Sequence, residues 1–233
     1  VTLGKDLPPL ALKNVQTLLT VQYANHNDHD SYTVSTSRLG FTTYDDIRWP
    51  GGNVKVTVNQ GIHSAASSGQ VQGHQWDIGI ISQLAERLPL GEAMLKALAT
   101  YQPHGQVDEL LVDWKGDINQ PGSFIARGKA HDIGWLAHDA GINPDSGHPM
   151  PGMPGLQGAA LEFELGSQGG QLKVNIDKGY AEFPGVFEEP RLPFDTLQAQ
   201  LRWTVEGEKI RLEVPDIRFA NADLKGHARI GWH

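Results

Sequence analysis

Leu161-Glu162-Phe163-Glu164-Leu165-Gly166-Ser167-Gln168-Gly169-Gly170-Gln171-Leu172-Lys173-Val174-Asn175-Ile176-Asp177 reads as two strands and a turn. Leu161, Phe163 and Leu165 alternate with Glu162 and Glu164, and Leu172, Val174 and Ile176 alternate with Lys173, Asn175 and Asp177. Successive side chains of a strand point to opposite faces, so each run has one apolar and one polar side. Gly169-Gly170 lies between the runs and predicts a hairpin. The pattern recurs downstream, where Leu201, Trp203 and Val205 alternate with Arg202 and Thr204, and Ile210, Leu212 and Val214 alternate with Arg211 and Glu213 across Glu206-Gly207-Glu208-Lys209. Upstream, Val54, Val56 and Val58 alternate with Lys55, Thr57 and Asn59, and the segments 15–23 and 31–35 flank a polar stretch, 24–30, suited to a hairpin tip. A mainly-β meander of antiparallel strands follows.

One segment follows another period. Ile81, Leu84, Ala85 and Leu88, then Met94, Leu95 and Leu98, recur at helical spacing, with Pro89 and Gly91 between them. This predicts two short helices or one kinked helix within 80–101. The stretch 141–158 is rich in Pro and Gly with little regular apolar pattern, which predicts a long surface loop. The chain accordingly divides into a β-rich segment 1–68, a strand with the helical insert and a β-repeat unit over 69–143, a Pro/Gly loop 144–157, and a second antiparallel β-repeat unit over 158–233. The repeat rests on an echo. Gly105-Gln106-Val107-Asp108-Glu109-Leu110-Leu111-Val112-Asp113-Trp114 resembles the phrase from Pro193 that ends at Trp203. Phe124-Ile125-Ala126-Arg127-Gly128-Lys129-Ala130-His131-Asp132-Ile133-Gly134-Trp135 likewise parallels Leu224-Lys225-Gly226-His227-Ala228-Arg229-Ile230-Gly231-Trp232.

Composition narrows the function classes. An apolar fraction of 39% with 27 Gly and 14 Pro suits many short elements joined by turns. A net charge of −8, with no cluster of Lys and Arg, argues against a nucleic-acid partner. There is no cysteine, hence neither a disulfide framework nor a thiolate metal site. The longest apolar stretch, 78–98, is broken by Glu86, Arg87, Pro89, Glu92 and Lys96 and is too polar to span a bilayer. The chain opens without Met and stops inside an alternating pattern, as expected of a piece of a longer protein.

Several phrases resemble the AsmA-like superfamily, and within it the YhdP family, to which TamB-type proteins are more distantly related. They are Leu88-Pro89-Leu90; Gly158-Ala159-Ala160-Leu161-Glu162-Phe163 with Gly169-Gly170-Gln171-Leu172; Phe183-Pro184-Gly185-Val186-Phe187-Glu188-Glu189-Pro190; Leu192-Pro193-Phe194-Asp195-Thr196-Leu197; and Phe219-Ala220-Asn221-Ala222-Asp223-Leu224. The resemblance covers 69–233. It implies a periplasmic protein anchored to the inner membrane by an N-terminal helix absent from this sequence. Its sheet would be elongated, curved and folded over into an apolar groove that moves phospholipid between inner and outer membranes for outer-membrane integrity.

Strand patterning leads the same way. A sheet with one apolar face must cover it with a second layer, close on itself, or fill it with something apolar, and the helices are too few to cover it. Acyl chains are therefore an expected filling, and the family resemblance implies phospholipid as the partner. The expected groove lining is Leu161, Phe163, Leu165, Leu172, Val174, Ile176, Leu201, Trp203, Ile210, Leu212 and Val214. The alternative is a closed β-sandwich binding module for a glycan or a protein, with strand-end tryptophans stacking on sugars.

No catalytic residue, cofactor site or metal site is expected. His26-Asn27-Asp28-His29-Asp30 has metal-ligand chemistry, but a hairpin tip is polar anyway and no third His is near in sequence. His131 and His138 fit no motif, and Glu162 and Glu164, though on one strand face like paired glycosidase carboxylates, lie opposite the apolar residues. Gly-x-Ser-x-Gly, Gly-Lys-Ser/Thr and His-Glu-x-x-His are all missing from the sequence.

Overall fold

The computed structural model describes residues 2, 7–61, 67–88, 90–117, 120–139, 141–142, 149–150, 152–207 and 209–232. The alternating runs form β1 (Leu12–Asn25), β2 (His29–Thr43), β4 (Asn53–Gly61), β5 (Ser67–Asp77), β6 (His104–Asp117), β7 (Gln120–Trp135), β10 (Gly155–Gly166), β11 (Gly169–Glu182), β12 (Arg191–Glu206), β13 (Lys209–Ala220) and β14 (Lys225–Trp232). A short β3 (Arg48–Trp49) pairs with β2, and β8 (Gly141–Ile142) pairs with β9 (Pro149–Met150) in a separate ribbon. The long strands make one antiparallel meander in the order β1-β2-β4-β5-β6-β7-β10-β11-β12-β13-β14. Among the described residues it is one open sheet with β1 and β14 at its two edges, and the separate ribbon has only two strands, so there is no second large sheet to make a two-sheet sandwich.

Its two ends differ. At one end strands turn back within a few residues, as at 26–28 and at Ser167-Gln168, where Gly166 pairs with Gly169. At the other end sit the longer connections: β3 and its turn, the helical insert, the described residues 136–139 and 152–154 between β7 and β10, and 183–190. The insert is α1 (Ile78–Leu84), a 3₁₀ turn Ala85–Arg87 and α2 (Glu92–Tyr101), the two short helices that the spacing predicts. Asp77 starts α1 by accepting a hydrogen bond from the Ile80 backbone N–H at 2.9 Å.

Two buried clusters lie toward this end. Leu10, Trp49 and Leu84 form one, joined by Phe41, Trp76, Ile80 and Ile81. Ala130, Ile133, Ala159, Ile176, Ala181 and Phe194 form the other. A crease crosses the sheet beside the second cluster, because Gln75, Asp132 and Lys178 hold φ of +57°, +53° and +59°, and Gly105 and Gly158 hold +117° and +79°. Pairing registers shift between Val107 and Glu109, between Leu156 and Ala159, and between Ala159 and Leu161. Aligned bulges of this kind bend a sheet and increase its twist.

Three expectations change in detail. β10 begins at Gly155, inside the stretch expected to be loop, since Gly155 and Leu156 pair with Glu182 and Ala181 before the Gly158 bulge breaks the alternation. Residues 143–148 and 151 of that stretch lie outside the described residues. β1 and β2 run on into the polar stretch, with Asn25 paired to Asp30. The sequence echo splits in space, because its second phrase is β7 beside β6 in one copy but β14, separated from β12 by β13, in the other. Position 68/69 falls within β5, whose ladder to β4 and β6 is continuous there.

Candidate functional site: the apolar face of the sheet

Residues directly opposed in an antiparallel ladder share a face, so the pairing lists trace one side of the sheet strand by strand. Leu161 faces Val174 and Phe163 faces Leu172 across β10 and β11. Leu172 then faces Leu201, and Gly170 faces Trp203. Trp203 faces Leu212, and Val205 faces Ile210. In the other direction Leu161, Phe163 and Leu165 meet Ala130, Gly128 and Ala126. These face Val107, Leu110 and Val112, which lead on to Trp76, Gly73 and Val71 and then to Val54 and Val56. Val56 faces Val34, and Val34 faces Val21. The apolar side thus runs unbroken from β1 to β13.

All the residues expected to line a groove lie on this side, but they fall into two settings. Ile176 belongs to the buried cluster, Leu161 and Val174 pack against it, and Val214 is buried as well. Phe163, Leu165, Leu172, Leu201, Trp203 and Leu212 are half-buried, and Ile210 is exposed, all toward the end with the tight turns. The expected lining leaves out Val71, Leu110, Val112 and Ile217: a bulge near Asp108 shifts the alternation before Leu110 and Val112, another beyond Val214 does so before Ile217, and Val71 shares its side of β5 with Gly69 and Gly73, which give no apolar run. At the β1 edge the same side is most open, with Val21 69% exposed and Tyr23 59%.

Aromatic rings lie flat on glycines along this face. A Cβ at Gly69 would overlap the Trp114 ring opposite it, and one at Gly170 would lie 2.7 Å from Cζ2 of Trp203. Gly128 under Phe163 and Gly226 under Phe219 repeat the arrangement, each with an added Cβ at 2.5 Å from the ring. Laying an aromatic over a cross-strand glycine keeps the surface smooth and covers exposed backbone.

The opposite face is polar and tied by ion pairs. Arg127 Nε donates to Glu164 at 2.8 Å and Lys173 lies 3.2 Å from Glu162, which accounts for the two glutamates that resemble a catalytic pair. His131 lies 2.8 Å from Asp108, and the hydrogen bond with that carboxylate raises its pKa above the usual histidine value. His138 contacts the Thr100 carbonyl at 2.5 Å, so the two histidines serve separate contacts. At the hairpin tip His26 stacks on His29 at 4.6 Å, His29 pairs with Asp28, and Asp30 accepts from Tyr23 and Asn25. Among the described residues no three His, Asp or Glu side chains converge on a possible metal position. No helix among them is long and apolar enough to cross a membrane.

An open meander with one continuous apolar face, creased near one end and uncovered near the other, defines a class of sheet proteins built around that face rather than around a cleft. The model of the YhdP protein family matches residues 2–232, and the chain belongs to that family. The match takes in the first third of the chain, beyond the 69–233 that the sequence phrases reach. No curated protein and no solved structure matches it.

Proposed function

We propose that the apolar face carries phospholipid acyl chains, and that the chain is a non-enzymatic segment of a periplasmic bridge for lipid between inner and outer membranes. The observation that carries this is the register of apolar residues from β1 to β13, with Phe163, Leu165, Leu172, Trp203 and Leu212 left half-open. Burying acyl chains on such a face gains about 0.8 kcal/mol per CH₂. Because apolar contact is non-directional, a lipid slides along a uniform face at little cost, and no reacting group is needed. The headgroup stays in water at the open side, and the crease with its buried clusters holds the sheet in shape while the rest of the face remains free.

The experiment compares two charges. Leu212→Asp places a carboxylate on the half-open part, outside both buried clusters, whereas Ile176→Asp places one where the side chain is 2% exposed. The purified chain is extracted with organic solvent and analysed by mass spectrometry, then offered fluorescent phospholipid. Wild type should release and take up phospholipid. Leu212→Asp should lose most of that while keeping its circular dichroism, and Ile176→Asp should unfold, since an unpaired buried charge costs several kcal/mol. A wild-type chain that neither releases nor takes up phospholipid overturns the proposal. For location, a reporter active only outside the cytoplasm, fused to this segment in the full-length protein, should be active.

A further inference from the structure

A depression of about 600 Å³ lies where β1, β2 and β3 meet. Gly40, Thr42 and Arg48 alternate here with Phe41 and Trp49, the stacked pair that joins the Leu10–Leu84 cluster, so Gly40 and Arg48 belong to the polar side. Gly40 leaves the floor open, because an added Cβ there would meet nothing within 4 Å. Arg38 and Arg48 both line the depression and are exposed, and no Asp or Glu lines it.

Charge pairing around the site is uneven. The two nearest acids in sequence are engaged elsewhere: Asp45 takes both terminal nitrogens of Arg87, and Asp46 pairs with Lys13. Among the described residues neither Arg38 nor Arg48 has a hydrogen-bonding or ionic partner. In a chain of net charge −8, two unpaired guanidinium groups beside one carboxylate-free depression form a local positive site. Arg38 is also held at φ +55°, a left-handed conformation that residues with a Cβ adopt only under strain and glycine adopts freely.

We propose that this depression binds a phosphate-type anion, with the planar forks of Arg38 and Arg48 as its charged donors and the amides of Asn14 and Gln16, which also line it, as neutral ones. The anion is either the phosphate of a lipid headgroup or a soluble phosphate ester. The site lies on the polar side of the sheet and does not rest on the acyl-chain proposal.

The whole chain, with its arginine side chains isotopically labelled, is titrated with inorganic phosphate and, in parallel, with chloride at matched ionic strength. Saturable shifts of the Arg38 and Arg48 Nε–H signals and of the Gly40 amide are expected with phosphate and not with chloride. Arg38→Gly suits the backbone conformation, so the fold should survive while phosphate affinity falls at least about tenfold, the usual worth of a charged hydrogen bond. Arg48→Gln should do the same, and Arg48→Lys, which keeps the charge but loses the fork, should fall between. The proposal is overturned by shifts that do not saturate, by a chloride response equal to that of phosphate, or by unchanged affinity in Arg38→Gly and Arg48→Gln. Sedimentation with vesicles of phosphatidylglycerol or phosphatidylcholine separates the two sources. Phosphatidylglycerol retention that both substitutions abolish assigns a lipid headgroup, and phosphate binding without vesicle retention assigns a soluble ester.

Discussion

Trp114 over Gly69 and Trp203 over Gly170 hold equivalent places on β6 and β12, each ring covering the backbone of the strand before it. Valine at Gly69 or Gly170 forces the ring off the sheet, and overpacking of this sort costs about 1–3 kcal/mol. Chemical denaturation should show that loss, and tryptophan emission should move to the red as the ring meets water. The tryptophans and glycines stand in the sequence as strand-end Trp and Gly-Gly, yet their partnership was illegible, since it depends on register across strands and not on spacing along one. The polar side yields a pH prediction from His131, whose pKa the Asp108 carboxylate raises. A raised folded-state value means that this contact stabilises fully below the ordinary histidine pKa of about 6.5 and fades as pH rises through the higher, folded value. Histidine NMR titration should place His131 above the ordinary value, and Asp108→Asn should bring it back down. A midpoint that Asp108→Asn leaves unmoved would discard the pairing. Asp45 runs the other way: hydrogen bonds from Arg87 and then Thr43 hold its carboxyl below the usual range. Its contribution is complete above the ordinary carboxylate pKa and is lost only as pH falls through the depressed one.

Strands and helices were the most legible level. Period-two runs at 54–58, 161–165, 172–176, 201–205 and 210–214 are all strands, and the three- and four-residue spacing within 80–101 is the helical insert. Bulges were not legible, because left-handed backbone at Gln75 and Lys178 falls on residues that carry no signal for it and Asp132 carries only a weak one, unlike Gly105 and Gly158. Each bulge shifts the alternation by one, which is why Leu110 and Val112 share a face with Val107 despite the change of parity. The insert gives the element-scale prediction. α1 turns Ile80, Ile81 and Leu84 onto Trp49 and Trp76, while Arg87 just beyond it grips Asp45 in the turn that leads to β3. Leu84→Ala should cost about 2–5 kcal/mol locally, the range for emptying a buried leucine site. Hydrogen exchange should show the loss in α1 and β3, with β10–β12 around the second cluster still protected. Equal loss of protection in β10–β12 would mean that the two clusters unfold as one unit.

At the scale of the whole sheet the question is whether the apolar side acts as one path or as separate patches. Register makes it continuous, but depth differs: the β1 edge is wide open, the middle strands are half-buried, and the crease end is closed by Ile133, Ile176 and Phe194. A path needs similar energy at each step, so the half-open residues of distant strands should all contact lipid, whereas a single pocket would concentrate contact at one place. Photoreactive phenylalanine analogues placed singly at Val56, Val112, Leu172 and Leu212 sample four strands along that side, and at Lys173 and Glu213 they sample the polar side next to two of them. With the full chain in cells, irradiation should give phospholipid adducts at all four apolar positions in comparable yield and none at Lys173 or Glu213. Adducts at Leu172 and Leu212 alone would confine lipid to the last strands and leave Val56 and Val112 as an ordinary hydrophobic surface. Comparable adducts on both sides would mean that lipid contact follows exposure, not the apolar register, and the sheet would lose its role as a lipid path.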